Sequence, residues 1–118
     1  MRKKVYHLGT CSTCIQILKK LHPGPDVELH DIKTQPMTEA QLDEMQQMAG
    51  SYEALFSRRA LKYKEMGLAS QALTETDYRR LILAEYTFLK RPVMLLGDRI
   101  FIGNSPKVVD EAVAAFKQ

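Results

Sequence analysis

The stretch Val5-Tyr6-His7-Leu8-Gly9-Thr10-Cys11-Ser12-Thr13-Cys14-Ile15-Gln16-Ile17-Leu18-Lys19-Lys20-Leu21 decides how the rest of the chain is read. Val5, Tyr6 and Leu8 make a short apolar, β-prone run, which reads as a strand. Gly9-Thr10 then breaks the pattern and leads into Cys11-Ser12-Thr13-Cys14. After the second cysteine, Ile15, Ile17, Leu18 and Leu21 are spaced as one face of a helix. The stretch is therefore a strand, a tight turn and a dithiol that opens a helix. A helix N-terminus presents unpaired N–H groups and the positive end of the helix dipole, and both favour an anion. A thiolate is such an anion, so Cys11 is expected to have a lowered pKa and to be the nucleophile. Cys14, one turn on, is placed to attack a mixed disulfide formed on Cys11.

The two cysteines are the only ones in the chain, and blander uses of them carry less of the pattern. A structural zinc site wants about four ligands. Here His7 is the only nearby addition, with His22 and His30 further off, so no metal is expected. A purely structural bridge between neighbours three apart would close almost no loop and stabilise little. Inert buried cysteines would leave the helix-opening position unused. Redox chemistry uses both the spacing and the terminus.

Around this stretch the composition is that of an ordinary α/β chain. The 118 residues are 45% hydrophobic and 26% charged, with no tryptophan. That length fits one domain with a real core. No apolar run approaches the length of a membrane span, so no membrane association is expected. Met1-Arg2-Lys3-Lys4 is basic, but the apolar run behind it is too short for a secretory signal. The expected location is the cytoplasm, where a dithiol is catalytic or sensing rather than structural. The net charge of +3 is too mild to argue for direct nucleic-acid binding. Arg58-Arg59 and Arg79-Arg80 are local pairs rather than a basic run.

Further along, residues 22–26 (His-Pro-Gly-Pro-Asp) are a turn signal, and residues 27–32 alternate apolar and polar as a strand. Strand, helix and strand within some thirty residues make a βαβ unit, expected to cross over right-handed. Thr38 with Gln41 fits a capping box for a helix carrying Leu42, Met45 and Met48 and stopped by Gly50. Shorter helices are expected over residues 52–56 and 61–66, the latter ended by Gly67. Thr74 with Asp77 caps another helix, which carries Tyr78, Leu81, Ile82, Glu85 and Tyr86. Residues 38–88 are thus a helical block, read as an insertion into one fold. Val93 to Leu96 and Arg99 to Ile102, split by Gly97-Asp98, make a β-hairpin. Ser105 and Pro106 supply the N-cap and first residue of a last helix, with Val108, Val109, Ala112, Val113 and Phe116 as its buried face.

The order βαβ, helices, ββα, with a dithiol after the first strand and Arg91-Pro92 before the third, resembles the thioredoxin superfamily. Thr10-Cys11-Ser12-Thr13-Cys14, Phe56-Ser57-Arg58-Arg59 in the helical block, and Leu89-Lys90-Arg91-Pro92-Val93 resemble one branch of it, the ArsC/Spx family. The resemblance implies a single α/β thioredoxin-like domain with a helical insertion between the second and third strands. It places Cys11 at the family's nucleophile and Cys14 at the second cysteine of Spx, where the reductases usually have serine. It places Arg91 at an arginine that contacts the oxyanion, and Pro92 at the proline that is cis across these folds. Arg59 best matches the family's insertion arginine, with Arg58 the alternative if the alignment shifts by one. Thr10, Ser12, Arg58 and Pro92 are the expected substrate-binding neighbours. Two departures stand out: Ile15 occupies a position that is usually arginine in the reductases, and residues 101–106 lack their third oxyanion arginine.

Two functions follow from the resemblance. One is an arsenate reductase-like thiol–disulfide oxidoreductase acting on a small oxyanion or a disulfide. It would have no bound cofactor, and glutathione with glutaredoxin, or thioredoxin, would be its external reductant. The other is an Spx-like regulator whose dithiol is a switch and whose partner is RNA polymerase, through its alpha subunit.

Overall fold

The computed structural model describes residues 2–117, and by its internal contacts the chain divides into two compact units, residues 2–36 with 91–117 and Met37–Lys90. The first holds a four-stranded sheet in the order β2-β1-β3-β4. Its strands are β1 (Lys3–His7), β2 (Glu28–Asp31), β3 (Val93–Leu96) and β4 (Arg99–Ile102). β1 runs parallel to β2 and antiparallel to β3, and β3 and β4 form the expected hairpin. Helices α1 (Ser12–Leu21) and α5 (Pro106–Phe116) pack on one face of this sheet.

That face is the core of the unit. Val5, Met94, Leu96 and Phe101 from the strands meet Ile17 and Leu21 from α1 and Val109, Ala112, Ala115 and Phe116 from α5. Alternation along β1 sends Lys4 and Tyr6 to the other face, where Lys4 pairs with Glu28 at 2.8 Å and Tyr6 meets the His30 ring at a tilt with ring centroids 4.9 Å apart. Ser105 caps α5 through the Val108 N–H at 3.3 Å, with Pro106 following it.

In this unit three details differ from the expectation. Ile15 lies off the buried stripe of α1 and is 41% exposed. Cys14, Ile17, Leu18 and Leu21 fall at i, i+3, i+4 and i+7, and a residue one step beyond Cys14 turns about 100° away. On the edge strand β2, the buried residue is His30, not Leu29, which is 47% exposed. The face beside Tyr6 is the one that packs there. In α5, Val108 and Val113 are only partly buried, at the margin of the core, and Ala115 is buried instead.

The second unit is helical: α2 (Glu39–Ala49), α3 (Leu61–Glu65), α4 (Glu75–Ala84) and three 3-10 turns. Both anticipated capping boxes form, Thr38 with Gln41 and Thr74 with Asp77. Gly50 ends α2 at φ 97°, a left-handed conformation that suits glycine. Phe56 stacks on Phe88 and meets the Tyr78 ring at a tilt, with ring centroids 5.0 and 4.8 Å away. α4 stops at Ala84, short of the expected Glu85 and Tyr86, because the chain beyond turns to pair Leu89 with Phe56. The Ser57 N–H donates to the Phe88 carbonyl at 2.7 Å and the Lys90 N–H to the Leu55 carbonyl at 2.8 Å. Among the described residues, no helix is long and apolar enough to cross a membrane.

Candidate active site

β1 ends at His7, and the chain turns sharply to start α1. The Cys11 N–H donates to the Leu8 carbonyl at 3.0 Å, which closes a four-residue turn through Gly9 and Thr10. Cys11 is then the N-cap of α1, in an extended conformation (φ −88°, ψ 116°), with its carbonyl accepting the Ile15 N–H at 3.1 Å. A cysteine here makes a poor neutral cap, and its thiol forms no cap hydrogen bond of ordinary geometry. The N–H groups of Cys14 and Thr13 nevertheless lie close enough to favour its anion.

The two thiols are free and differ in exposure, Cys11 half-buried and Cys14 buried. Burial by itself pushes the Cys11 pKa up. The Cys14 and Thr13 N–H groups, the Cys14 thiol and the Arg91 charge outweigh it, and the net shift is downward. Cys14 goes the other way. Burial, followed by the negative charge of Cys11 and the hydrogen bond to it, pushes Cys14 up to about 11 against the Leu8 N–H and Arg91. Of the pair, Cys11 is therefore the thiol that gives up its proton first, and Cys14 the one that keeps it. That division of labour suits a partly accessible attacking group and a sheltered second one.

Arg91 reaches this pair through strand register. β1 and β3 are antiparallel with Tyr6 opposite Val93, and continuing that register puts Pro92 level with His7 and Arg91 level with Leu8. Arg91, two residues before β3, is therefore delivered to the turn that carries Cys11. The Arg91–Pro92 peptide is cis, as expected, and the Pro92 carbonyl accepts the Gly103 N–H at 2.9 Å. Arg91 is half-buried and its charge acts on both thiols. Thr10 and Ser12 flank Cys11 and are exposed, while Pro92 is buried.

The sheet unit thus brings together Thr10, Cys11, Ser12, Cys14, Arg91 and Pro92. Arg58 and Arg59 belong to the helical unit. There Arg58 is held by Glu53 at 2.8 Å and the Tyr78 hydroxyl at 3.1 Å, lying over the Tyr78 ring. These bonds account for its side chain within its own unit. Arg59 is exposed in the turn before α3, with its N–H on Ser57 Oγ at 3.3 Å. The Leu8, Thr13 and Cys14 N–H groups act on the thiols through the backbone alone, and side-chain identities in the sequence carry no sign of them. Among the described residues, no group of three or more His, Cys, Asp or Glu is placed to hold a metal ion.

Known proteins resemble this chain in sequence and in fold. The chain is 28% identical over 115 residues to the Escherichia coli K12 protein YfgD, covering 93% of this chain and 95% of that one. Arsenate reductase from Vibrio cholerae superposes with a TM-score of 0.78 at 20% identity, over 95% of this chain and 98% of that one. The Staphylococcus aureus protein SACOL0876 superposes with a TM-score of 0.73 at 26% identity, over 92% and 96%. These superpositions place the chain among thioredoxin-like α/β folds. A sequence model described as the ArsC family matches residues 6–112, a span that holds both cysteines, both insertion arginines and the Arg91–Pro92 corner, and the chain belongs to the ArsC family.

Proposed function

We propose that the protein is an arsenate reductase-like thiol–disulfide oxidoreductase in which Cys11 attacks and Cys14 resolves. The observation that carries this reading is the opposite treatment of the two thiols: Cys11 half-exposed with a lowered pKa at the start of α1, Cys14 buried and held up to about 11. With a disulfide or a glutathione adduct, the Cys11 thiolate forms a new S–S bond and expels the leaving thiolate. Cys14 then loses its proton and attacks Cys11 Sγ. The second substrate sulfur leaves as thiolate, and two electrons have passed from the dithiol to the substrate.

With arsenate, Cys11 would form an S–As bond as an oxygen leaves as water. Attack by Cys14 on Cys11 Sγ would then break the S–As bond, leave its electron pair on arsenic and release arsenite. In either case the product is a Cys11–Cys14 disulfide, which glutathione with glutaredoxin, or thioredoxin, would reduce. Once Cys11 is bonded, its negative charge no longer raises the pKa of Cys14, while Arg91 and the Leu8 N–H still favour the Cys14 anion. The first step therefore lowers the barrier to the second. For arsenate, Arg91 supplies one charge-assisted donor. For Arg59 as a second, the support is the family resemblance alone.

A second reading is favoured by the Cys-x-x-Cys itself and by the exposed, uncharged Ile15 beside it, which adds no donor for an oxyanion. In that reading the dithiol is a redox switch and the partner is the alpha subunit of RNA polymerase. The deciding experiment follows arsenate-dependent oxidation of the reduced protein with the glutathione–glutaredoxin and thioredoxin systems supplied in parallel. Turnover with either supports the enzyme and names its electron donor. No turnover, with a disulfide that forms readily under mild oxidant, moves the assignment to the switch, and a pull-down against RNA polymerase follows.

A further inference from the structure

The turn that carries Cys11 is braced from β2 by a carboxylate with no part in the proposed chemistry. A Cβ built on Gly9 would overlap Asp31 Oδ2 and lie 3.4 Å from Asp31 Cγ. Gly9 does not adopt a left-handed backbone, unlike Gly50, Gly67, Gly97 and Gly103. What glycine provides here is space: a side chain at this position would have to displace the Asp31 carboxylate.

Asp31 is itself firmly held. It pairs in register with His7, the last residue of β1, and the Ile32 N–H donates to the His7 carbonyl at 2.9 Å. The Lys33 N–H donates to Asp31 Oδ1 at 3.0 Å, and the Asp31 carbonyl accepts the Gln35 N–H at 2.9 Å. His30 fixes the same turn by donating Nε2–H to the Gln35 carbonyl at 2.7 Å. The Lys33 N–H is the chief cause of a lowered Asp31 pKa, and the Gly9 N–H and the neighbouring His7 add to it. The carboxylate thus rests on Lys33 through one oxygen and against Gly9 through the other.

We infer that Asp31 is a positioning residue for the nucleophile: seated on the Gly9 backbone, its carboxylate sets the turn from Leu8 to Cys11 that aims the Thr13 and Cys14 N–H groups at Cys11 Sγ. This deepens the dithiol reading and rests on it, because Asp31 acts only through the state of Cys11. A negative charge near a thiolate would by itself disfavour it. The positioning role and the field effect therefore have opposite signs.

The test is the rate of Cys11 alkylation by iodoacetamide against pH, in the reduced full chain, for wild type, Asp31→Ala, Asp31→Asn and Gly9→Ala, each checked for native circular dichroism. Asp31→Ala is expected to slow alkylation at neutral pH on the order of threefold to tenfold although it removes a negative charge. Asp31→Asn keeps an acceptor in place and is expected to recover most of that loss. Gly9→Ala is expected to mimic Asp31→Ala, and the double variant to be no slower than either single one, as for two halves of one contact. Faster alkylation in both Asp31 variants would show a field effect and overturn the inference. Unchanged pH profiles with a lower melting temperature, or additive Gly9 and Asp31 effects, would overturn it too. Alkylation needs no substrate, so these outcomes stand apart from whether arsenate or a disulfide is reduced. A wild-type Cys11 that titrates like an ordinary thiol would instead undercut the dithiol reading itself.

Discussion

At the scale of single residues, two thiols one helical turn apart receive opposite electrostatic treatment, and one cation serves both. Arg91 favours the Cys11 anion and opposes the burial that raises Cys14. Removing it should slow the first attack. Arg91→Met is expected to lower the rate of Cys11 alkylation near pH 7 on the order of threefold to tenfold, the effect of one Coulomb interaction of about 1 kcal/mol. Arg91→Lys should recover part of the loss through its charge. Stopped-flow alkylation at several pH values measures this, and a Met variant as fast as wild type would remove Arg91 from the site. The Cys14 thiol, held up to about 11 by burial and by its anionic neighbour, should resist alkylation until Cys11 is bonded or the pH approaches that value.

At the scale of elements, the sheet unit depends on the layer between its strands and α1 and α5. Met94 is fully buried there, opposite Val5 across β1 and β3. Met94→Ala is expected to cost about 2–5 kcal/mol in urea unfolding, since truncation leaves a cavity that the sheet cannot close. In the helical unit, α2 and α4 are joined by a polar contact instead. Arg79 grips both Asp43 oxygens, at 2.8 and 3.2 Å, and the Tyr52 hydroxyl donates to Asp43 at 2.6 Å. Arg79 first, then Tyr52, holds the Asp43 carboxyl down to about 2 from its usual 3.8. A carboxylate with a depressed folded pKa adds stability above its unfolded value, and that stability is lost as the pH falls through the folded one. The contribution should therefore be intact above pH 4 and disappear between about pH 4 and 2. Asp43→Asn should lower the urea midpoint at pH 7 and flatten its dependence across that acid window. An unchanged slope would mean that the contact is solvated and contributes nothing.

At the scale of the whole molecule, the features legible in the sequence were those set by local chemistry. Both capping boxes, the Gly50 and Gly67 stops, the Gly97-Asp98 hairpin and the Ser105-Pro106 start all form as their residue types dictate. The dithiol at the head of α1 was legible for the same reason, as was the Arg-Pro pair before β3. What the sequence hid depends on partners distant along the chain. The end of α4 at Ala84 follows from the pairing of Leu89 with Phe56, the exposure of Leu29 from its place on the edge of the sheet, and the brace on Gly9 from Asp31, twenty-two residues away. The single residue slip at Ile15 is a matter of phase, one step off a stripe that Cys14 itself begins. Within the sheet unit the features meet in one arrangement, a half-buried Cys11 favoured as the anion beside a buried Cys14 that keeps its proton. The most direct measurement is mass spectrometry of reduced Cys14→Ser protein after one equivalent of a disulfide substrate such as oxidised glutathione. Cys11 should accumulate as a stable mixed disulfide, and the wild type should instead release the adduct and end as the intramolecular disulfide. A Cys14→Ser protein that clears its adduct as fast as wild type, or one whose Cys11 stays unmodified, would refute the pairing of nucleophile and resolver.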